Sequence, residues 1–191
     1  MEHMVTKSNI MGFWNTYADI IHWFFDYPTV PISLSELASE LEISKSTAHR
    51  VVTALVREGF LNKEQIGRAW RITCNLSHPY NVTRKIPYHL QLVYESGVVD
   101  AVNGSVPDNN AIVLFGSYRR GDDTHESDLD IAVEVSGDRP SRHIELGSID
   151  LGFRKDVSVN LLVFSRRRVD LNVFANIANG IVLQGFLEVK P

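Results

Sequence analysis

The sequence predicts an α/β chain of the α+β type, built as two small domains: a helical domain closed by a β-hairpin, then a domain organised around a mixed sheet. Three observations carry this. Residues 10–57 repeat apolar side chains at spacings of three and four, as amphipathic helices do. Residues 60–73 read as two short strands around a turn. From residue 111 onward, short apolar runs alternate with polar loops and a further helical pattern. With 191 residues and 44% hydrophobic side chains, the chain can fill a core in each domain.

Residues 10–26 place Phe13, Trp14, Tyr17, Ile20, Ile21, Phe24 and Phe25 on one helix face, a surface for core or dimer contacts, and Pro28 and Pro31 end the helix. Ser33 caps a short second helix, with Glu36 as its reciprocal partner and Leu34, Leu37, Ala38 and Leu41 turned inward. After a bend at Ile43, Ser44 caps a third helix. It buries Ala48, Val51, Val52, Leu55 and Val56 and stops at Gly59. Phe60, Leu61, Trp70 and Ile72 anchor a hairpin that turns between Gln65 and Arg68.

Helix, helix, turn, helix and a small basic hairpin resemble the winged helix-turn-helix of transcriptional regulators, in a domain spanning residues 10–78. The resemblance implies double-stranded DNA as a partner. The third helix then lies in a major groove and presents Lys45, Ser46, Thr47, His49 and Arg50. Lys63, Arg68 and Arg71 of the wing meet phosphates or the minor groove. The local charge agrees: residues 45–71 hold Lys45, Arg50, Arg57, Lys63, Arg68 and Arg71 against only Glu58 and Glu64. The competing reading is a winged helix used for protein contact. Regulators of this form commonly dimerise on two-fold sites, so a homodimer is expected.

The net charge of −4 excludes a globally basic nucleic-acid binder and places any such function in local patches. Cys74 is the single cysteine, which excludes an intrachain disulfide and a cysteine-rich zinc site and favours a reducing compartment. No apolar run reaches the length of a membrane span, and Met1 to Asn9 carries no apolar leader core. A cytoplasmic protein with no membrane partner is the expectation. Residues 79–107 read as a helical connector, with a helix over Tyr88 to Val102 that breaks at Gly97.

The chemistry lies in residues 108–191. Ala111 to Phe115 is a short apolar strand, and Gly116-Ser117 turns directly off its end. Leu129 to Val135 is a second strand, entered through Asp128. Strand periodicity puts Asp128 and Asp130 on one face, close enough to share a divalent cation. A glycine and serine after a strand bring backbone N–H groups and a hydroxyl against phosphate. Asp122, Asp123, Glu126, Asp128 and Asp130 form an acidic stretch that attracts cations, and His125 within it is a candidate nucleotide contact.

Gly116-Ser117, ten residues, then Asp128-Leu129-Asp130, together with Gly121 and Ser127, resemble the hallmark of the polymerase-beta-like nucleotidyltransferase superfamily in its minimal form. Residues 177–185 resemble the closing helix and strand of those domains. The resemblance implies Mg²⁺ or Mn²⁺ at Asp128 and Asp130 and a nucleoside triphosphate, ATP by expectation, at Gly116, Ser117, Arg119, Arg120 and Ser127. It also implies transfer of a nucleoside monophosphate to an acceptor, for example a helical partner protein. The family's third catalytic carboxylate falls on Asn160, in the strand Val157 to Phe164. Asparagine offers a neutral oxygen but neither a base nor a negative charge. Three readings stay open: binding without catalysis, weak catalysis with one well-held ion, or a carboxylate borrowed from elsewhere. The alternative function is a DNA-binding regulator whose second domain senses nucleotide; a structural adaptor with neither activity is the third. Arg166, Arg167 and Arg168 read as a solvated edge.

Overall fold

The computed structural model describes residues 7–189, with side chains from residue 15 onward. The chain divides into two compact units, Met1–Asn81 and Val82–Pro191.

In the first unit, α1 (Lys7–Asp26) buries Ile20, Ile21, Trp23, Phe24 and Phe25. The side chains of Phe13 and Trp14, assigned to the same face by sequence, lie outside the described residues. Strand β1 (Ile32–Ser33) runs into α2 (Leu34–Glu40) through a reciprocal cap. The Ser33 hydroxyl accepts from the Glu36 N–H at 3.2 Å, and the Glu36 carboxylate accepts from the Ser33 N–H at 2.9 Å. Helix α3 (Lys45–Arg57) starts at Ser44, whose hydroxyl accepts from the Thr47 N–H at 3.1 Å, and it buries Ala48, Val51, Val52 and Leu55. Strands β2 (Leu61–Ile66) and β3 (Ala69–Cys74) form the hairpin, and β1 pairs with the outer side of β3 to give the order β1-β3-β2. The buried Phe60 meets Phe25 edge-on at 5.6 Å, which fastens the hairpin's base to α1. This is a winged helix-turn-helix. The short α4 (Tyr80–Thr83) follows.

The second unit opens with α5 (Lys85–Glu95) and α6 (Val98–Ser105). Then come β4 (Asn109–Leu114), α7 (Gly116–Arg120), β5 (Leu129–Val135), β6 (Arg142–Leu151), β7 (Arg154–Phe164), α8 (Leu171–Ala178) and β8 (Ile181–Gly185). The sheet order is β6-β7-β5-β4-β8. The β5–β7 pair is parallel, whereas the pairs β4–β5, β4–β8 and β6–β7 are antiparallel, so the sheet is mixed.

Alternation along the strands sorts the two faces. Leu129, Ile131 and Val133 join Val157, Val159, Leu161 and Val163 in one core, which is closed by Val93, Val98 and Val102 of α5 and α6. Ala132, Leu162 and Phe164 face the other way and pack with Ile177 and Phe174 of α8. Residues 85–105, read from sequence as connector, thus contribute to the core of this unit. Strand β6 was not foreseen in the sequence. Asp130 and Asn160 fall, by the same alternation, on the α8 face.

Candidate active site

The site forms where β4 ends and β5 begins. The Phe115 N–H donates to the Asp130 carbonyl at 3.1 Å, which ties the end of β4 to the start of β5. Gly116 then adopts φ +73°, and a Cβ there would lie 2.4 Å from Asp130 Oδ2 and 3.2 Å from both its Cβ and Cγ. Only glycine lets the backbone come this close to the carboxylate. Ser117 follows in the first turn of α7, and Gly121, in the left-handed region at φ +76°, ends that helix.

Parallel pairing of β5 with β7 sets Asp130 directly beside Asn160. The Asn160 Nδ2 donates to Asp128 Oδ2 at 3.1 Å. Asp128, Asp130 and Asn160 are therefore brought together. Burial, and then the charge of Asp128, hold the Asp130 carboxyl above its ordinary value; contact with the Asn160 amide and the Arg120 charge pull the other way. Arg120 does not neutralise the pair. Its Nε donates to Asp122 at 2.9 Å, which raises the guanidinium's own pKa.

Two carboxylates with incompletely balanced charge and hard oxygen donors suit one Mg²⁺ or Mn²⁺ with positions left for water and phosphate oxygens. The third position supplies an amide, whose carbonyl oxygen is neutral when turned inward. Among the described residues, no three His, Cys, Asp or Glu side chains are grouped to hold a metal ion. The donor set present fits one cation.

The loop between α7 and β5 is anchored by Lys85, His89 and Arg154, which the sequence did not single out. The Lys85 ammonium lies 3.1 Å from Asp123 Oδ2 and donates to the Asp123 carbonyl at 2.6 Å. His89 Nδ1 approaches Asp123 Oδ1 at 3.5 Å, and all three side chains are buried. Asp123 is thus a structural anion and not part of the cation-attracting stretch, because Lys85 already balances its charge. The buried Arg154 hydrogen-bonds the Tyr118 hydroxyl and donates to the Ser127 carbonyl at 2.7 Å. The Ser127 hydroxyl accepts from the Thr124 N–H at 2.9 Å, so this serine shapes the loop. Arg119 is half-buried, and His125 is exposed with its Nε2 4.0 Å from Glu126. Asp156, nearer the start of β7 than Asn160, is exposed, with its N–H 3.4 Å from Asp150 Oδ1.

In the first unit, Lys45, Ser46, His49 and Arg50 are exposed on α3, and Thr47 is half-buried. The Ser46 and Thr47 hydroxyls lie 2.9 and 2.8 Å from that of Ser44, so both serve the helix start. His49 stacks on Trp70 at 4.6 Å, and Lys63 lies over the same ring at 4.1 Å. These contacts fix α3 against the wing. Arg68 is exposed at the wing tip, and Arg71 lies 3.9 Å from Glu64. The arginine run after β7 is largely paired: Arg166 with Glu134 and Glu188, both at 2.7 Å, and Arg168 with Asp138 at 2.6 Å.

Residues 18–65 match the family model of the IclR helix-turn-helix domain, and residues 97–179 match that of the nucleotidyltransferase domain. No curated protein matches the chain. Among solved structures, a MarR protein from Peptoclostridium difficile is 20% identical, with 56% of this chain and 81% of that chain covered at a TM-score of 0.28. Among the described residues, no helix is long and apolar enough to cross a membrane.

Proposed function

We propose that this chain, an IclR-type helix-turn-helix domain joined to a nucleotidyltransferase domain, binds a nucleoside triphosphate with a divalent cation at Asp128 and Asp130 and transfers its nucleoside monophosphate to an acceptor hydroxyl. ATP is the preferred donor in this reading. The close approach of Gly116 to Asp130, beside the Asp128–Asn160 contact, carries the proposal. It sets backbone N–H groups next to a carboxylate pair, which is the arrangement a cation-bound triphosphate requires.

When bound, the cation neutralises charge on the triphosphate and on the departing pyrophosphate. The Gly116–Ser117 turn cradles phosphate oxygens, and Arg119 and Arg120 add positive charge at the rim. The Lys85–Asp123 pair and Arg154 hold the loop so that Asp128 enters β5 in one position. The acceptor oxygen forms a bond to the α-phosphorus as the bond from that phosphorus to the pyrophosphate oxygen breaks, and the hydroxyl proton is released to solvent. In this reading double-stranded DNA lies against α3 and the wing and meets Lys45, Arg50 and Arg68.

Incubation with Mg²⁺ and ATP labelled at the α-phosphate tests the transfer. Label from the α-phosphate, and none from the γ-phosphate, is expected on an acceptor hydroxyl, with no incorporation by Asp128→Asn. Incorporation of γ-label would contradict nucleotidyl transfer. One observation favours a second reading. The amide of Asn160 occupies the position of a carboxylate and donates to Asp128, which suits a nucleotide sensor that regulates DNA binding.

A further inference from the structure

The arginines of the second unit divide into two sets. Arg120, Arg154, Arg166 and Arg168 are each engaged by a carboxylate, a carbonyl or a hydroxyl. Among the described residues, the side chains of Arg139 and Arg142 make neither a salt bridge nor a hydrogen bond. Both line one cavity of about 630 Å³, between the turn after α6, the end of β5 and the start of β6. Cavities of this size hold small organic molecules. Val135 lines it, at the far end of β5 from the carboxylate pair. Five strand steps of about 3.4 Å put Val135 about 17 Å from Asp130.

The segment that carries Arg139 is held in place. Residues 136–141 read Ser-Gly-Asp-Arg-Pro-Ser, a composition usual for a pliant loop. Ser165, fully buried just past β7, donates its hydroxyl to the Arg139 carbonyl at 2.7 Å and accepts from the Arg139 N–H at 3.1 Å. Asp138 pairs with Arg168 at 2.6 Å, and the Ser136 hydroxyl donates to Asn110 Oδ1 at 3.2 Å. Arg142 enters β6 opposite Val163 of β7. Both guanidiniums thus stand on fixed backbone, which lowers the entropy cost of binding through them.

The lining also states what it would recognise. Two guanidiniums beside the Ser141 hydroxyl are the donor set of a phosphate group. Asp108 has no partner among the described residues either, and its carboxylate offers acceptors to a hydroxyl or an amino group. Pro107, Pro140 and Val163 give an apolar wall for a flat ring. Phosphate, hydroxyl-bearing sugar and flat ring occur together in a nucleotide.

We propose that this cavity is a second nucleotide site, which takes a nucleoside monophosphate without a divalent cation. The phosphate lies on Arg139 and Arg142, which neutralise it as a cation would, and Asp108 accepts from the ribose or the base. The site does not depend on Asp128 and Asp130, and its test excludes the cation that pair needs. AMP, GMP, CMP and UMP are titrated in turn into the full chain in excess EDTA and followed by calorimetry. At least one should bind once per chain, at least about tenfold tighter than inorganic phosphate. Arg139→Gln/Arg142→Gln should weaken it at least about tenfold. Arg167→Gln, an exposed arginine outside the cavity, and Asp128→Asn/Asp130→Asn should leave it unchanged. Matching far-ultraviolet circular dichroism spectra check that the variants are folded. No binding by any of the nucleotides, or equal affinity in the double arginine variant, overturns the proposal. Inorganic phosphate that binds as tightly as the nucleotides makes the cavity a bare anion site and overturns it as well. Binding lost only in Asp128→Asn/Asp130→Asn assigns the nucleotide to the carboxylate pair, overturning the second site and leaving the first standing.

Discussion

Replacing Gly116 by alanine separates backbone strain from damage to the site. At φ +73° an L-residue costs about 1–2 kcal/mol in the left-handed region. Gly97 supplies the control, because it sits at φ +74° in the same unit with nothing within 4 Å of an added Cβ. Both variants therefore carry the same backbone cost. Only at Gly116 does the new methyl meet Asp130 Oδ2 at 2.4 Å, where ordinary contact begins at 3.4 Å, so the carboxylate must retreat by about 1 Å. The Asp130 Cβ and Cγ at 3.2 Å are also crowded, and rotation of the carboxylate alone does not relieve the contact. A 1 Å displacement is about half a cation–oxygen bond. Urea denaturation should show Gly97→Ala destabilised by about 1–2 kcal/mol and Gly116→Ala by more. Calorimetric titration with Mg²⁺ and an ATP analogue whose α–β bridging oxygen is replaced by methylene should leave Gly97→Ala at wild-type affinity and weaken Gly116→Ala by at least about tenfold, or about 1.4 kcal/mol. Wild-type affinity in Gly116→Ala would refute the reasoning.

Three further outcomes follow from the same geometry. Because the Asp130 carboxyl is held above its unfolded value, its ionisation weakens the ligand-free fold. Stability from this group is full below about pH 4 and lost as pH rises through the raised value. Asp130→Asn should therefore raise the urea midpoint of the ligand-free chain at neutral pH and leave it unchanged in acid, read at both pH values. Lys85→Met strands the buried Asp123 charge and should cost about 3–5 kcal/mol, while adding Asp123→Leu recovers most of the loss in the same denaturation assay. On the winged helix, Lys45→Ala and Arg50→Ala should each lower the slope of log affinity for duplex DNA against log salt by about 0.9 for every phosphate no longer neutralised. Fluorescence anisotropy over a salt series measures this, and an unchanged slope would remove both residues from the DNA face.

The helices of the first unit were legible because their caps are local. Ser33 with Glu36, and Ser44 with Thr47, are marked by spacing alone, and the structure shows the expected hydrogen bonds. The strands through Ile112, Ile131 and Leu161 were legible because they are buried and read as apolar runs. Strand β6 was not: it lies at the sheet edge, its exposed face is polar, and the shift at Gly147 breaks the period that would have revealed it. The Lys85–Asp123 pair was hidden for a different reason. It joins residues 38 apart, and a lysine and an aspartate at that separation look like ordinary surface charges until the fold buries them.

The central claim is that Asp128 and Asp130 together hold a cation-bound nucleotide. Calorimetric titration of ATP in Mg²⁺ against the wild type and against Asp128→Asn/Asp130→Asn tests it most directly. The account predicts Mg²⁺-dependent binding to the wild type and none to the double variant; equal affinity in the two proteins would contradict it.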